Sequence, residues 1–143
     1  MVAIVVIAHQ PLASALVAAA QHVYSRDPCA ASRQLAAFDI PPDADVAGAV
    51  NQARALLQQV DQGPGVLVLT DMPGATPCNV ASRLAQAGRV AVVSGVNMPM
   101  LLRSLCYCDL GLEELVAKAL AGGASGIQNL VPASSAEAPP KNS

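Results

Sequence analysis

Two kinds of apolar pattern alternate along the chain. Val2 to Ile7 is an unbroken run rich in β-branched residues, the signature of a strand buried on both faces. Pro11 suits a first helical turn, and Leu12, Leu16, Ala19 or Ala20, and Val23 recur at helical spacing to about Ser25. Asp27-Pro28 marks a loop, and Arg33 to Phe38 predicts a weaker second strand that ends before the Pro41-Pro42 breaker. From Asp43 onward Val46, Val50, Ala53, Leu57 and Val60 form one helical stripe, closed by Gly63-Pro64-Gly65. Val66 to Leu69 is a second wholly apolar strand, ended by Thr70-Asp71 and the loop Met72 to Ala75. Thr76 reads as an N-cap and Pro77 as the first helical position of a helix running to Gly88. Arg89 to Ser94 is a further strand, Gly95-Val96-Asn97 leads into a helix through Cys108, and another helix runs from about Leu112 to a stop at Gly122-Gly123. Ile127 to Val131 predicts a short last strand, and Pro132 to Ser143 is a polar, Ala/Pro-rich tail expected to be disordered.

Strands alternating with helices call for a mostly parallel sheet covered by helices on both faces, an α/β class of doubly wound kind with strand order 2-1-3-4. One domain over residues 1–131, followed by the tail 132–143, fits a chain of 143 residues. Hydrophobic residues make up 53% and charged ones 13%, which excludes disorder for most of the length. The formal charge of -2, scattered basic residues and near absence of aromatics exclude a nucleic-acid track. No apolar run approaches the roughly 18 residues of a membrane span, and Val2 to Ala8 lacks the basic flank of a signal peptide. Cys29, Cys78, Cys106 and Cys108 show no disulfide framework. A cytoplasmic chain with reduced thiols is expected. Cys106 and Cys108 face apart on a helix, so no metal site is expected either.

In an open α/β sheet the site lies at the C-terminal strand ends, where the strand order reverses. His9 and Asp71 end the first and third strands, which are neighbours about 4.8 Å apart in this order. A carboxylate bonded to one imidazole nitrogen fixes the tautomer and leaves the other nitrogen as a nucleophile. Helix starts near Pro11 and Thr76 would aim amide donors at the same place, which suits an anion such as a phosphoryl group. His22, in mid-helix, has no assigned role, and Asn97 reads as a helix cap.

Three blocks, Val5 to His9, Thr70 to Asn79 and Gly95 to Leu101, occur in order and resemble the mannose-family enzyme IIA component of the bacterial phosphoenolpyruvate-dependent sugar phosphotransferase system. The resemblance runs from about Met1 to Val131. It implies a cytoplasmic phosphocarrier whose His9 takes a phosphoryl group from the histidine phosphocarrier protein and passes it to an enzyme IIB component or uses it as a regulatory signal. His9 and Asp71 then match the phosphorylated histidine and its carboxylate. Thr76, with Gln10, Gly74 and Ala75, matches the phosphate-binding surroundings. A homodimer is implied, with Ile127 to Val131 pairing antiparallel to the partner's sheet. No cofactor and no direct membrane insertion are implied. Gln10 stands where the family commonly has Gly, and Gly74-Ala75-Thr76-Pro77-Cys78-Asn79 replaces the commoner Gly-Gly-Ser-Pro-Phe-Asn. The tail resembles the start of a linker to enzyme IIB, so an acceptor acting in trans is expected.

Two other readings stay open. A receiver-like domain would be phosphorylated on Asp71, although the acidic pair after the first strand and a late-strand Lys are missing. A non-catalytic interaction module is the second. A flavin site of the flavodoxin type lacks its phosphate loop, since His9-Gln10-Pro11-Leu12-Ala13 stands there. The sugar, if any, is not written in these residues.

Overall fold

A computed structural model describes residues 1–27 and 33–131. Its four strands, β1 (Ala3–His9), β2 (Leu35–Ile40), β3 (Val66–Thr70) and β4 (Val90–Val93), form one parallel sheet in the order β2-β1-β3-β4. The five helices are α1 (Leu12–Val23), α2 (Val46–Val60), α3 (Thr76–Ser82), α4 (Met98–Cys106) and α5 (Leu112–Ser125). The continuous apolar runs are central because both of their faces are covered. Ile4, Val6 and Ala8 enter a core with Ala13, Val17, Leu101, Leu105 and Leu115 from α1, α4 and α5. Ala3, Val5 and Ile7 enter a second core with Val50, Ala53, Leu57 and Val80 from α2 and α3. Each fully buried Val, Leu or Ile contributes about 1.5–3 kcal/mol, so β1 links both cores and anchors whatever stands at its end. Ile7 pairs with Thr70 and His9 with Ile40, which brings the β1 and β3 ends together at the point where the strand order reverses.

Several boundaries differ from the sequence pattern for physical reasons. The second strand begins at Leu35, not Arg33, because the Arg33 guanidinium is held off the sheet by Asp27 at 3.1 Å and lies 5.2 Å above the Tyr24 ring. It then continues through Asp39 to the buried Ile40. The third helix stops at Ser82 instead of Gly88, since Leu84 and Ala85 donate to carbonyls three residues back and Gln86 exchanges hydrogen bonds with Val90 across a turn at Gly88. Gly122-Gly123 does not stop α5. A Cβ on Gly122 would stand 2.6 Å from the Arg103 Cβ, and one on Gly126 would stand 2.3 Å from the Pro99 Cγ, so these glycines let α4 and α5 approach closely. Residues 127–131 form no strand within the single chain; Ile127 is 78% and Leu130 83% exposed. Cys29 and the tail 132–143 lie outside the described residues.

Candidate functional site

His9 is the last residue of β1, and Asp71 follows the last residue of β3. The two runs of buried residues before them fix both backbones, and the side chains meet at the first positions the sheet leaves open. The His9 Nδ1 lies 2.5 Å from the Asp71 Oδ2, which also accepts the His9 backbone N–H at 3.0 Å. The Met72 N–H donates to the other oxygen, Oδ1, at 2.9 Å. The imidazole is 50% exposed and the carboxylate 12% exposed. Burial pushes the Asp71 carboxyl up, and the hydrogen bonds from the His9 amide, the His9 ring and the Met72 amide outweigh it and hold the group below its ordinary value. An ionised carboxylate at Oδ2 requires the proton on Nδ1. Nε2, which has no hydrogen-bond partner among the described residues, is left with its lone pair facing solvent.

Around this pair the other expected residues are placed as follows. Gln10 is exposed, its backbone N–H donates to Ile40 O at 3.0 Å, and it precedes Pro11 through a cis peptide. Gly74 turns the loop after Met72 with φ +84°, where a side chain would be strained. Ala75, not Thr76, is the N-cap of α3; it takes the extended conformation and Thr76 is the first helical residue. The Thr76 hydroxyl therefore caps nothing. α3 packs on β1 and β3 and starts beside the strand ends. None of Gln10, Gly74, Ala75 and Thr76 touches the imidazole–carboxylate pair by a hydrogen bond among the described residues.

Three features were not visible in the sequence pattern. Asp39 at the end of β2 accepts the Ser14 backbone N–H at 3.1 Å and the Ser14 hydroxyl, so α1, whose Pro11 cap offers no side-chain hydrogen bond, is capped from the neighbouring strand. Gly95 N–H donates to Asp71 O and Val96 N–H to Thr70 O, each at 3.0 Å, so the loop after β4 grips the end of β3. The Thr70 hydroxyl is fully buried without a partner among the described residues.

No group of three His, Cys, Asp or Glu side chains among the described residues could hold a metal ion. No helix among them is long and apolar enough to cross a membrane. The four loops at the C-terminal strand ends, residues 10–11, 41–45, 71–75 and 94–97, carry Asp43, Asp45 and Asp71 and no Lys or Arg.

An imidazole–carboxylate pair stands at the switch point of a four-stranded α/β sheet, and comparisons with known proteins show which family this sheet belongs to. Residues 3–120 match the family described as PTS system fructose IIA component, of the mannose-type EIIA class. The chain belongs to this IIA family. As such it is a phosphotransferase component of the enzyme IIA kind. It is 34% identical over 96 residues to the mannose-specific EIIAB component of Escherichia coli K12, a match covering 65% of this chain and 30% of that relative. The IIA chain thus spans less than a third of that relative's length. The fold is shared with the mannose/sorbose specific IIA subunit from Enterococcus faecalis, with TM-score 0.78, 23% identity and 92% and 96% of the two chains covered. The PTS IIA protein associated with the fucose utilization operon of Streptococcus pneumoniae superposes with TM-score 0.70 and 25% identity over 90% and 96%.

Proposed function

We propose that this IIA chain is a cytoplasmic phosphocarrier that carries the phosphoryl group on His9 Nε2, with the histidine phosphocarrier protein as donor. The observation that carries the reading is the contact between the His9 Nδ1 and a partly buried, ionised Asp71, with the imidazole half exposed to solvent. In the transfer the Nε2 lone pair attacks phosphorus, the phosphorus–nitrogen bond of the donor's phosphohistidine breaks, and the donor imidazole leaves with the electron pair. His9 gains positive charge, which the Asp71 carboxylate stabilises through the shared Nδ1 proton. Loss of the group to an acceptor runs the same steps in reverse.

The relative's name joins an A and a B component, so a IIB component is the proposed acceptor, with the phosphorylation state as a signal to a regulatory protein as the other use. Phosphorylation adds a charge of about -1.5 to -2, and the surrounding loops supply no cation. The cation that offsets the charge of the transferring group is therefore assigned to the docking protein. Gln10, Gly74, Ala75 and Thr76 are proposed to border the phosphoryl group. A receiver-like role for Asp71 is disfavoured, because both of its carboxylate oxygens already accept hydrogen bonds.

Incubation with phosphoenolpyruvate, enzyme I and the histidine phosphocarrier protein tests the reading. The expected product carries an acid-labile, alkali-stable label that is absent from His9→Ala. Label retained in that variant, or label released by hydroxylamine as from an acyl phosphate, would contradict it.

A further inference from the structure

The third sequence block, Gly95 to Leu101, takes no part in the chemistry above, yet both the oxygen and the nitrogen of its polar side chain are hydrogen-bonded. The Asn97 Oδ1 accepts the Met100 N–H at 2.9 Å and so caps α4, while its Nδ2 donates to Gly123 O at 3.1 Å in the last turn of α5. The two residues before it donate backwards, Gly95 to Asp71 O and Val96 to Thr70 O. The far side of this strut is closely packed: a Cβ on Gly123 would stand 3.3 Å from the Met100 Cβ, and one on Gly126 would overlap the Pro99 ring, so α5 lies directly against the start of α4. One short segment therefore ties the backbone that presents the Asp71 carboxylate to the end of a packed helix pair.

We propose that Asn97 is a positioning residue for His9: by fastening the loop after β4 to the last turn of α5, it holds the Asp71 turn in place and thereby sets the imidazole tautomer. The inference rests on the phosphocarrier reading only for its effect on rate. The carboxylate reaches the ring across a single short contact, and a carboxylate displaced by a fraction of an ångström no longer decides which ring nitrogen holds the proton. A strut absorbed by α4 capping alone would leave the ring unaffected.

Asn97→Ser separates the two roles, since Ser is a good N-cap but is too short to reach Gly123 O. Asn97→Asp, which keeps the cap acceptor and removes the donor, serves if the Ser variant does not fold. The 15N spectrum of the imidazole nitrogens in the full chain, with His22→Gln to assign the second histidine, reports the tautomer without any phosphoryl donor. In the parent chain the His9 Nε2 is expected to resonate as the unprotonated nitrogen. In the Asn97 variant the Nδ1 and Nε2 signals are expected to shift toward each other as the second tautomer is populated, with phosphoryl acceptance slowed roughly five- to tenfold, the effect of one lost hydrogen bond. Leu115→Val, a buried change in α5 away from the strut, controls for general loosening and is expected to lower Tm with the His9 signals unmoved. An Asn97 variant that loses stability while its His9 signals and transfer rate stay at parent values overturns the proposal. Absence of label on His9 in the parent chain would instead strike the phosphocarrier reading and leave the tautomer measurement standing.

Discussion

At the scale of single residues, Asp71 is the group on which the site depends. Asp71→Asn keeps the volume but removes the charge that holds the proton on Nδ1, so transfer to His9 should fall by roughly 10- to 100-fold while the circular dichroism spectrum is unchanged. The same residue sets part of the acid stability. Its folded pKa lies below the ordinary value of about 3.9, so its contribution is full above that ordinary value and is lost as pH falls through the lower folded one. Urea midpoints measured from pH 6 downward should show this loss in the parent chain and a flatter acid limb in Asp71→Asn; parallel limbs would count against it. His9 was legible in the sequence as the first polar residue after a wholly apolar run, and Asp71 as the first charged residue after another. The Asp39 cap on Ser14 was hidden because its partners are 25 residues apart and no local spacing joins a strand end to a different helix. Thr76 was placed one position too early, since Thr and Ala can both take the extended cap conformation and the sequence alone favours Thr.

At the scale of elements, a continuous apolar run proved a better guide than a glycine. The order β2-β1-β3-β4 and the two helical layers follow from runs such as Val2 to Ile7, whose alternate side chains must each find a cover. A glycine pair has no such unique meaning: Gly122-Gly123 reads as a helix stop from the sequence, yet it is the seam on which α4 lies. The two meanings give opposite signs for Gly122→Ala. Helix propensity alone would stabilise the chain by about 1 kcal/mol. A Cβ placed 2.6 Å from the Arg103 Cβ is instead expected to destabilise it by about 1–3 kcal/mol through overpacking. Chemical denaturation decides the sign, and a gain in stability would show that the helices have room to part.

For the whole molecule, the open question in the fold is what the exposed end of α5 meets. Ile127 and Leu130 are almost bare, and Val131 is half exposed. A strand at a sheet edge leaves unpaired backbone groups, and β4 is such an edge. A groove of about 530 Å³ lies along that edge between Cys78 and Ser82 of α3 and Val90 to Val92 of β4. Five extended residues reach about 17 Å, enough to run beside the four residues of β4. The apolar pattern of this segment predicts a strand, and in the single chain it pairs with none. Pairing with a second copy would supply both the missing hydrogen bonds and the apolar cover. The full chain is therefore expected to be a dimer by light scattering at micromolar concentration. A chain ending at Gly126, which retains α5 and its seat on Pro99, is expected to be a folded monomer. A monomeric full chain, or a truncated chain that still dimerises, would assign the segment 127–131 to some other surface.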